Sequence, residues 1–364
     1  MSYRIAIADH TEVKKDAWQR FTLNTDNALP FSLWEYNNLY AAKDVFYVFA
    51  VDERTDEYIA GITGRIKGKL PLIGSFFSVL LLETSVLVHK SIANGDDIKK
   101  IKYEIYKTLV AFATQKRTLQ IYLNHWSREK DAELLKSLGF TVSENHTFEI
   151  NTKDIDGDVI SHYSGNCRNT IKKAQKNGVS VSIVPGPLLE SIAEEINKLS
   201  YNTYKRAHNN KKGSSMQMKS ASFFESLFFS LKEHALTGLG YAPENVLASF
   251  AIMLKTSKNM VYYRGGSDMI YNRKYAVSNI VIHELIEHAI TNNLDIIDLG
   301  GVPANPDKTH PAYGVFKFKK SFGGTLKVYY GGNKIINPMR YKLFNILFKN
   351  KTLLRIYNKL KPVS

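Results

Sequence analysis

The sequence predicts an α/β protein built from two similar domains, each with a mixed central sheet flanked by helices, and a basic helix at the C-terminus. Its length of 364 residues suggests about two domains. Segments with strand composition alternate with segments of helical periodicity, an order typical of a sheet covered by helices. The order helix, strand, Ser-Leu-Gly-Phe over residues 97–140 recurs as helix, strand, Ser-Phe-Gly-Gly over residues 278–324. This echo predicts two halves of related topology.

In the first half, segments rich in β-branched and aromatic residues are predicted strands, and an apolar spacing of three to four residues marks the long helix. That spacing is carried by Ile98, Ile101, Ile105, Leu109 and Phe112. The predicted strands span residues 45–51, 58–66, 77–89, 119–123 and 140–150. The predicted helices span residues 97–117 and 130–138, after a helix–turn–helix segment over residues 16–40 that is broken at Pro30.

The second half follows a polar segment at residues 151–159, which suits a linker. Its first helix can be capped by Ser164 or Asn166, and Gly178 suits the end of that helix. Further helices are predicted at residues 187–207, 223–235 and 278–293, and strands at residues 245–254, 260–264 and 294–299. We therefore predict a first domain at residues 1–150, a second at residues 151–335 and a basic amphipathic tail at residues 336–364.

The composition bounds the class of protein. Apolar residues make up 44% and charged residues 23% of the chain, which is typical of a globular protein. The single cysteine, Cys167, excludes an internal disulfide and a thiolate-rich metal site. The N-terminus lacks the apolar core of a signal peptide, and the longest uncharged apolar run, residues 70–82, is too short to span a bilayer. We therefore expect a cytoplasmic protein without a transmembrane segment.

The positive charge is concentrated near the C-terminus. The net charge is +15, and the 13 Lys and Arg residues after Asp307 are accompanied by no acidic residue. Such a segment favours an anionic partner: RNA, nucleotide phosphates or a lipid surface. A terminal helix over residues 337–348, with Met339, Leu343, Ile346 and Leu347 at helical spacing, is predicted to pack on the second domain. Residues beyond Asn350 are predicted to engage an anionic membrane, at its inner face, or tRNA.

Residues 310–331 combine aromatic residues, lysines and glycines at short spacing. Phe316, Phe318 and Phe322 interleave with Lys317, Lys319 and Lys320, and Gly323-Gly324 follows. One interpretation is a partly dry ligand site in which a cation lies beside aromatic rings. The other is a short helix with one buried aromatic face and solvated lysines. The glycines permit a turn or a close approach of the backbone to a ligand.

A second basic cluster lies on the first helix of the second half. Arg168, Lys172 and Lys176 are four residues apart and therefore form one stripe of like charge. Such a stripe can bind phosphate, and it can equally be a solvated helix face.

His283 and His288 are five residues apart and point to different helix faces, so they do not form a zinc motif. They are interpreted as exposed members of i,i+4 pairs, His283 with Glu287 and His288 with Glu284.

Several motifs resemble those of the FemA/FemB/FemX (FemABX) family of peptidoglycan-bridge aminoacyltransferases, and the resemblance covers nearly the whole chain. The motifs are Arg168-Asn-Thr-Ile-Lys-Lys-Ala-Gln-Lys-Asn-Gly178, Tyr262-Tyr-Arg-Gly-Gly-Ser-Asp268, Asp298-Leu-Gly-Gly301 and Phe318-Lys319-Lys-Ser-Phe322-Gly-Gly. In addition, Leu134-Leu-Lys-Ser-Leu-Gly-Phe140 is similar to a helix-to-strand corner of the GNAT acyltransferase fold. The resemblance implies two tandem GNAT-like domains. The polar loop at residues 209–222 is too short for the long helical hairpin that some members carry, which implies an armless, FemX-like type.

The activity that the resemblance implies is amide formation between an amino acid, delivered by an aminoacyl-tRNA, and an amine of a peptidoglycan precursor. The implied partners are therefore aminoacyl-tRNA and either UDP-MurNAc-pentapeptide or a lipid-linked precursor, with no bound cofactor and no metal. An acyl-CoA-dependent N-acyltransferase of the same fold is the alternative. A non-catalytic RNA- or membrane-binding protein is a further alternative.

The resemblance also implies roles for individual residues. Lys319 is the candidate catalytic cation and Phe318 its aromatic wall. The candidate substrate-binding residues are Arg168, Lys172, Arg206, Tyr263 and Tyr313, the first three as contacts to acceptor phosphates. Lys43 is a candidate cation in the first half. Asp268 and Asp298 are candidate general bases, although both also suit the capping of turns, and proton transfer assisted by the substrate remains open.

Overall fold

The chain forms two compact units. The computed structural model describes residues 2–68, 76–127, 129–209 and 218–349. The first unit contains the described residues up to Asn145 together with those from Val328 onward, and the second contains His146–Lys327. The predictions for residues 70–75 of the apolar run at 70–82, for most of the loop at residues 209–222 and for the tail beyond Asn350 concern residues outside these ranges.

The first unit is a mixed sheet with helices. Its elements are β1 (Tyr3–Asp9), α1 (Lys15–Leu23), α2 (Trp34–Asn37), β2 (Val45–Asp52), β3 (Tyr58–Gly68), β4 (Ser78–Leu82), β5 (Leu87–Val88), α3 (Gly95–Gln115), β6 (Gln120–Ser127), α4 (Glu129–Ser137) and the start of β7 (Thr141–Asn151). Strands β1 to β4 are antiparallel neighbours, and β4 pairs in parallel with β6. Helix α3 connects those two parallel strands and buries Ile101, Ile105 and Leu109 against them.

The second unit repeats this order. Its elements are α5 (Gly165–Lys176), β8 (Ser180–Pro185), α6 (Ala193–Asn209), α7 (Ala221–Leu231), β9 (Ala235–Tyr241), β10 (Leu247–Lys255), β11 (Asn259–Ser267), α8 (Met269–Tyr275), α9 (Val277–Thr291), β12 (Ile296–Val302), α10 (Tyr313–Lys320) and the start of β13 (Thr325–Ile335). Strands β8 to β11 are antiparallel neighbours, and β11 pairs in parallel with β12. The predicted α/β class and the shared strand order are confirmed.

Each unit is closed by a strand from the other half of the sequence. In the first unit, β6 pairs antiparallel with residues 330–335 of β13. In the second unit, β12 pairs antiparallel with residues 146–151 of β7. Pairing with β6 places the chain from Val328 onward in the first unit, whereas residues up to 335 were predicted to belong to the second domain.

The last described helix, α11 (Pro338–Lys349), corrects a second expectation. It packs through Tyr341, Phe344 and Leu347 against a cluster of the first unit formed by Phe77, Val79 and Leu119. The predicted packing on the second domain is therefore wrong. Of the four residues at the predicted helical spacing, Leu347 packs as expected, whereas Met339, Leu343 and Ile346 are exposed. Apolar residues occur all around this helix, so their spacing alone did not identify the buried face.

None of the helices in the described ranges combines the length with the apolar composition that crossing a bilayer requires.

Candidate active site

Helix α10 carries three lysines, and only one of them is directed into the protein. Lys319 is 8% exposed, whereas Lys317 and Lys320 are exposed to solvent. Phe322, one turn further on, is buried and packs edge to face against Tyr163 with a centroid distance of 5.3 Å. This segment therefore combines features of both interpretations offered by the sequence: a buried aromatic residue, as in a packed helix, and an enclosed cation, as in a ligand site. Burying an ammonium group is costly unless it is hydrogen-bonded.

The Lys319 ammonium has two neighbours that compensate for part of this cost. Its Nζ donates a hydrogen bond to the carbonyl oxygen of Gly301 at 3.1 Å. The same atom lies 5.1 Å from the centroid of the Tyr262 ring, within the range of a cation–π contact. Burial lowers the pKa of Lys319 to about 8, although the Asp298 carboxylate opposes this shift. Burial also raises the pKa of Tyr262 to about 12, so the phenol is neutral.

An irregularity in β12 creates the acceptor for Lys319. The register of β12 against β7 shifts between Asp298 and Gly301, which indicates a β-bulge. Gly300 within the bulge has φ of +79°, a conformation that favours glycine. A Cβ at this position would lie 3.2 Å from Lys319 Nζ and 3.2 Å from the Tyr262 carbonyl oxygen. The bulge and the absence of a side chain thus bring the Gly301 carbonyl within reach of the lysine.

A buried carboxylate, Asp298, lies at the start of this bulge and is 3% exposed. Its Oδ1 accepts hydrogen bonds from the Thr147 hydroxyl and from the Gly300 amide, the latter at 2.7 Å. Its Oδ2 is buried and has no hydrogen-bond partner within the described part of the chain. Burial raises the pKa of Asp298 to about 6, with Glu149 adding to the rise, while Thr147, Gly300 and Lys319 act in the opposite direction.

Glu149 is the cross-strand neighbour of Asp298 in the β7–β12 register. Residues directly opposite each other point to the same face of a sheet, and two like charges there destabilise each other. Glu149 is also buried. The site therefore holds two carboxyl groups and one amine in the interior of the second unit, and both Glu149 and Lys319 act on the pKa of Asp298.

The turn after α10 fixes this helix on the second unit. Gly323 has φ of +82°, and a Cβ there would collide with the carbonyl oxygen of His162. A Cβ on Gly324 would lie 2.9 Å from the carbonyl oxygen of Glu149. The Ser321 carbonyl accepts a hydrogen bond from the Ser164 amide at 2.9 Å. The two glycines therefore serve a close approach between backbone segments of the protein.

The structure gives Phe318 a different neighbour from the expected one. Its ring packs edge to face against Phe322 at a centroid distance of 5.2 Å. Because consecutive helical residues are about 100° apart, Phe318 and Lys319 point in different directions. The ring facing the ammonium group is that of Tyr262. Tyr262 therefore occupies the position beside the ammonium group that was predicted for Phe318.

The proposed acceptor-binding residues are distributed over α5, α6, β11 and α10. Arg168 on α5 donates through Nη1 to the carbonyl oxygens of Ser161 at 3.2 Å and Tyr163 at 2.9 Å. Lys172 is exposed on the same helix. Arg206 on α6 donates to the Ser267 carbonyl oxygen at 2.7 Å and to the Thr203 hydroxyl at 2.9 Å. These contacts hold Arg206 at the end of β11, the strand that also carries the half-buried Tyr263. Tyr313 is half-buried at the start of α10.

The two candidate bases have different environments. Asp268 caps α8, where its carboxylate accepts from the Ile270 amide at 2.8 Å and the Tyr271 amide at 3.3 Å. Asp298 interacts electrostatically with Lys319. Lys43, the candidate cation of the first half, is exposed. Of the residues considered from the sequence, Asp298 and Lys319 are therefore the pair that the structure brings together.

Three contributors to the site were not recognised as such in the sequence: Tyr262, Thr147 and Glu149. Thr147 and Glu149 alternate with Phe148 and Ile150, a pattern that suggests a strand with one solvent-exposed face. All four are buried. Polar residues on a strand that is buried on both faces are a signal for a functional site, but the burial of β7 depends on long-range pairing with β12.

The interpretation of the histidines on α9 is corrected by the structure. His283 is 4% exposed, and its Nδ1 lies 3.3 Å from the Tyr163 hydroxyl. Burial lowers the pKa of His283, so the neutral imidazole is favoured. It is a core residue rather than an exposed member of an i,i+4 pair.

Comparisons with known proteins identify similar sequences and similar folds. Residues 187–349 match the family model described as the FemAB family. The chain is 26% identical over 187 residues to the lipid II:glycine glycyltransferase of Staphylococcus saprophyticus, and the alignment covers 50% of this chain and 44% of that protein. The chain thus spans about half the length of the curated relatives it matches.

Solved structures show the same fold over most of the chain. The crystal structure of FemX has a TM-score of 0.70 at 16% identity and covers 94% of this chain and 99% of its own. A tandem GNAT protein from the clavulanic acid biosynthesis pathway has a TM-score of 0.55 at 8% identity, covering 93% and 99% respectively. The fold is therefore that of two tandem GNAT-like units. Together with the match of residues 187–349 to the FemAB family model, this fold makes the chain similar to FemABX proteins in both sequence and structure.

Proposed function

We propose that the protein is an N-acyltransferase that joins an amino acid, delivered as an aminoacyl-tRNA ester, to an amine of a peptidoglycan precursor. The match of residues 187–349 to the FemAB family model and the similarity to a lipid II:glycine glycyltransferase support this class of reaction. The observation that carries the proposal is the Lys319 ammonium, enclosed between the Gly301 carbonyl and the Tyr262 ring. A cation in such a dry and fixed position is suited to stabilise a developing negative charge.

In the proposed reaction the neutral amine of the acceptor attacks the carbonyl carbon of the ester. A carbon–nitrogen bond forms, and the carbonyl oxygen becomes an oxyanion that Lys319 stabilises. The bond to the ribose oxygen of the tRNA then breaks, and the proton lost by the amine balances the charge on this leaving oxygen. The products are an amide and a free ribose hydroxyl. Holding both substrates in place supplies much of the remaining rate enhancement.

The state of Lys319 suits this role at neutral pH. With a pKa of about 8, the amine is mostly charged at pH 7. Removal of its hydration shell leaves the cation free of competing water, so its field at the oxyanion is stronger than that of an exposed lysine. Asp298 offsets part of the desolvation and helps to keep the cation charged.

An acyl-CoA donor is the second candidate, since a tandem GNAT protein shares the fold. The proposal is tested by incubating the protein with aminoacyl-tRNAs or acyl-CoAs and with UDP-MurNAc-pentapeptide or a lipid-linked precursor. The acceptor mass is then measured. The expected product is an acceptor extended by one amino acid. It should form only when aminoacyl-tRNA is present and only when Lys319 is intact. If the acceptor is extended only when acyl-CoA is supplied, the donor is acyl-CoA and not aminoacyl-tRNA. No product with any pair, despite binding of tRNA or lipid, would reject catalysis.

We further propose that Arg168, Lys172 and Arg206 contact acceptor phosphates, and that Tyr263 and Tyr313 line the bound acceptor. Lys172 gives the cleanest test because it is exposed, whereas Arg168 supports the backbone before α5. Lys172→Glu is expected to weaken acceptor binding about fivefold at moderate salt, because a charge-assisted contact is lost. Lys173→Glu is the matched control, an exposed lysine on another face of the same helix. Equal effects of the two variants would show that the positive charge of the helix as a whole, and not a specific contact of Lys172, favours acceptor binding.

A further inference from the structure

Helix α11 is apolar on two sides, and only one of them is used for packing. Its inner side packs on the first unit through Tyr341, Phe344 and Leu347. The opposite side carries Met339, Leu343 and Ile346, which are 83%, 43% and 58% exposed. These three residues, here called the exposed apolar stripe, are spaced four and three apart and therefore form one continuous ridge. Packing of the helix on its own unit does not explain this ridge.

The stripe is held outward by a well-anchored helix. Asn337 caps α11 by accepting the Arg340 amide at 3.0 Å. The Arg340 side chain donates to the Arg117 carbonyl oxygen at 3.1 Å, and its guanidinium lies 4.2 Å from the centroid of the half-exposed Phe76 ring. With the N-terminal turn fixed in this way, rotation of the helix to bury the stripe would break the inner packing.

The charged residues of α11 itself are all of one sign. At 100° per residue, Arg340 lies on one flank of the stripe and Lys342 on the other. The sequence contains no acidic residue after Asp307. An apolar ridge with cations on both flanks is the pattern of a helix that lies in the interface of an anionic bilayer.

Charge also distinguishes between the possible occupants of the stripe. A symmetric contact with a second copy would bring the same cations against each other. Residues 350–364 carry Lys351, Arg355, Lys359 and Lys361 and no acid, so they too would add positive charge. A lipid surface rich in anionic headgroups satisfies both the apolar and the charged requirement. We propose that the exposed apolar stripe of α11 docks the protein on an anionic membrane surface.

The first test places a reporter on the stripe. Cys167 is the single native cysteine and is buried, so Ile346→Cys can be labelled selectively with an environment-sensitive dye. The dye emission is expected to shift to the blue with phosphatidylglycerol vesicles and to remain unchanged with phosphatidylcholine vesicles. Ile270→Cys, at a residue that is 74% exposed on the second unit, is the control and should respond to neither. The proposal is overturned if the dye at position 346 is already buried without lipid, or if it remains exposed with both kinds of vesicle.

The second test removes the stripe. Met339→Ser, Leu343→Ser and Ile346→Ser combined are expected to reduce partitioning onto phosphatidylglycerol vesicles about tenfold, because the apolar contribution is lost. The matched control combines Leu188→Ser, Phe229→Ser and Ile270→Ser, which alter residues that are 69%, 70% and 74% exposed. Transfer to a water-soluble acceptor should be unchanged in both, so a failure here is distinct from a failure of the proposed catalysis. Equal loss in both triple variants, or a stripe variant that loses self-association instead, contradicts membrane docking.

Discussion

Replacing Lys319 by methionine is expected to lower the rate of acyl transfer by about 10²–10³-fold, the usual effect of losing one oxyanion-stabilising group. Methionine retains much of the apolar stem and removes the charge. Because the charge is needed mainly in the transition state, the acceptor KM should change little. Single-turnover rates and acceptor titrations measure these two effects separately.

The same substitution should not weaken the fold. Burial lowers the pKa of Lys319 from 10.5 to about 8, which corresponds to a cost on the order of 3 kcal/mol for keeping this group charged in the folded state. Since the folded-state pKa is the lower one, the unfolded chain binds more protons between pH 8 and 10.5. The free energy of unfolding therefore rises across this window in the wild type. In Lys319→Met that rise should be absent, and stability at pH 7 should equal or exceed that of the wild type.

Lys320→Met is the matched control, because Lys320 is the adjacent lysine on α10 and is exposed. It removes the same charge from the same helix and should leave turnover within about twofold of the wild type. An equal loss of activity in both variants would show that general basicity of α10, and not the enclosed position of Lys319, supports the reaction.

Asp298→Asn is expected to move the alkaline limb of the pH–rate profile downward by about one pH unit. If charged Lys319 is the active form, the wild-type rate falls as pH rises through about 8, where the amine loses its proton. Asp298 is the carboxylate that offsets the desolvation of this amine. Without it the pKa of Lys319 drops further, and the loss of activity begins at lower pH. The amide of asparagine still accepts the Thr147 hydroxyl, so the shape of the site is preserved.

Glu149→Gln is the control for this second experiment, since it removes a neighbouring buried carboxyl group that acts on Asp298, whereas Asp298 is the carboxylate that acts on Lys319. Its alkaline limb should stay near that of the wild type. A purely structural role for Asp298 would lower the rate at every pH without moving the limb. A wild-type rate that rises through pH 8 would mean that the neutral amine is active, which would make Lys319 a base and reject its role as a cation.

Local chemistry in the sequence predicted much of the fold. Ser164 caps α5 and Gly178, with φ of +73°, lies just beyond its end, as expected from their residue types. Of the periodic apolar residues of α3, Ile101, Ile105, Leu109 and Phe112 are buried as predicted, and Ile98 is partly buried. The strands β1 and β8 were missed because both are only partly buried edge strands, in which the apolar pattern is weak. Pairing with a neighbour, and not composition, defines them.

The candidate site depended more strongly on distant parts of the chain. The identity of Lys319 as the candidate cation came from its motif, but its partners come from β11 and β12. The bulge at Gly300 is a property of pairing between β7 and β12, and no spacing within either segment indicates it. The same limit applies to α11, whose apolar residues surround the helix. Sequence periodicity identifies a helix there but cannot select the side that packs.

The closing of each unit by a strand from the other half of the sequence has a consequence for biosynthesis. A nascent chain completes β6 at Ser127, but the strand that covers its free edge ends at Ile335. At the usual 5–20 residues per second, the ribosome needs about 10–40 s to supply that strand. During this interval β6 presents an open row of amides and carbonyls, which is prone to pair with other chains. The N-terminal half is therefore a poor candidate for separate expression, and slow or interrupted translation should favour aggregation over native protein.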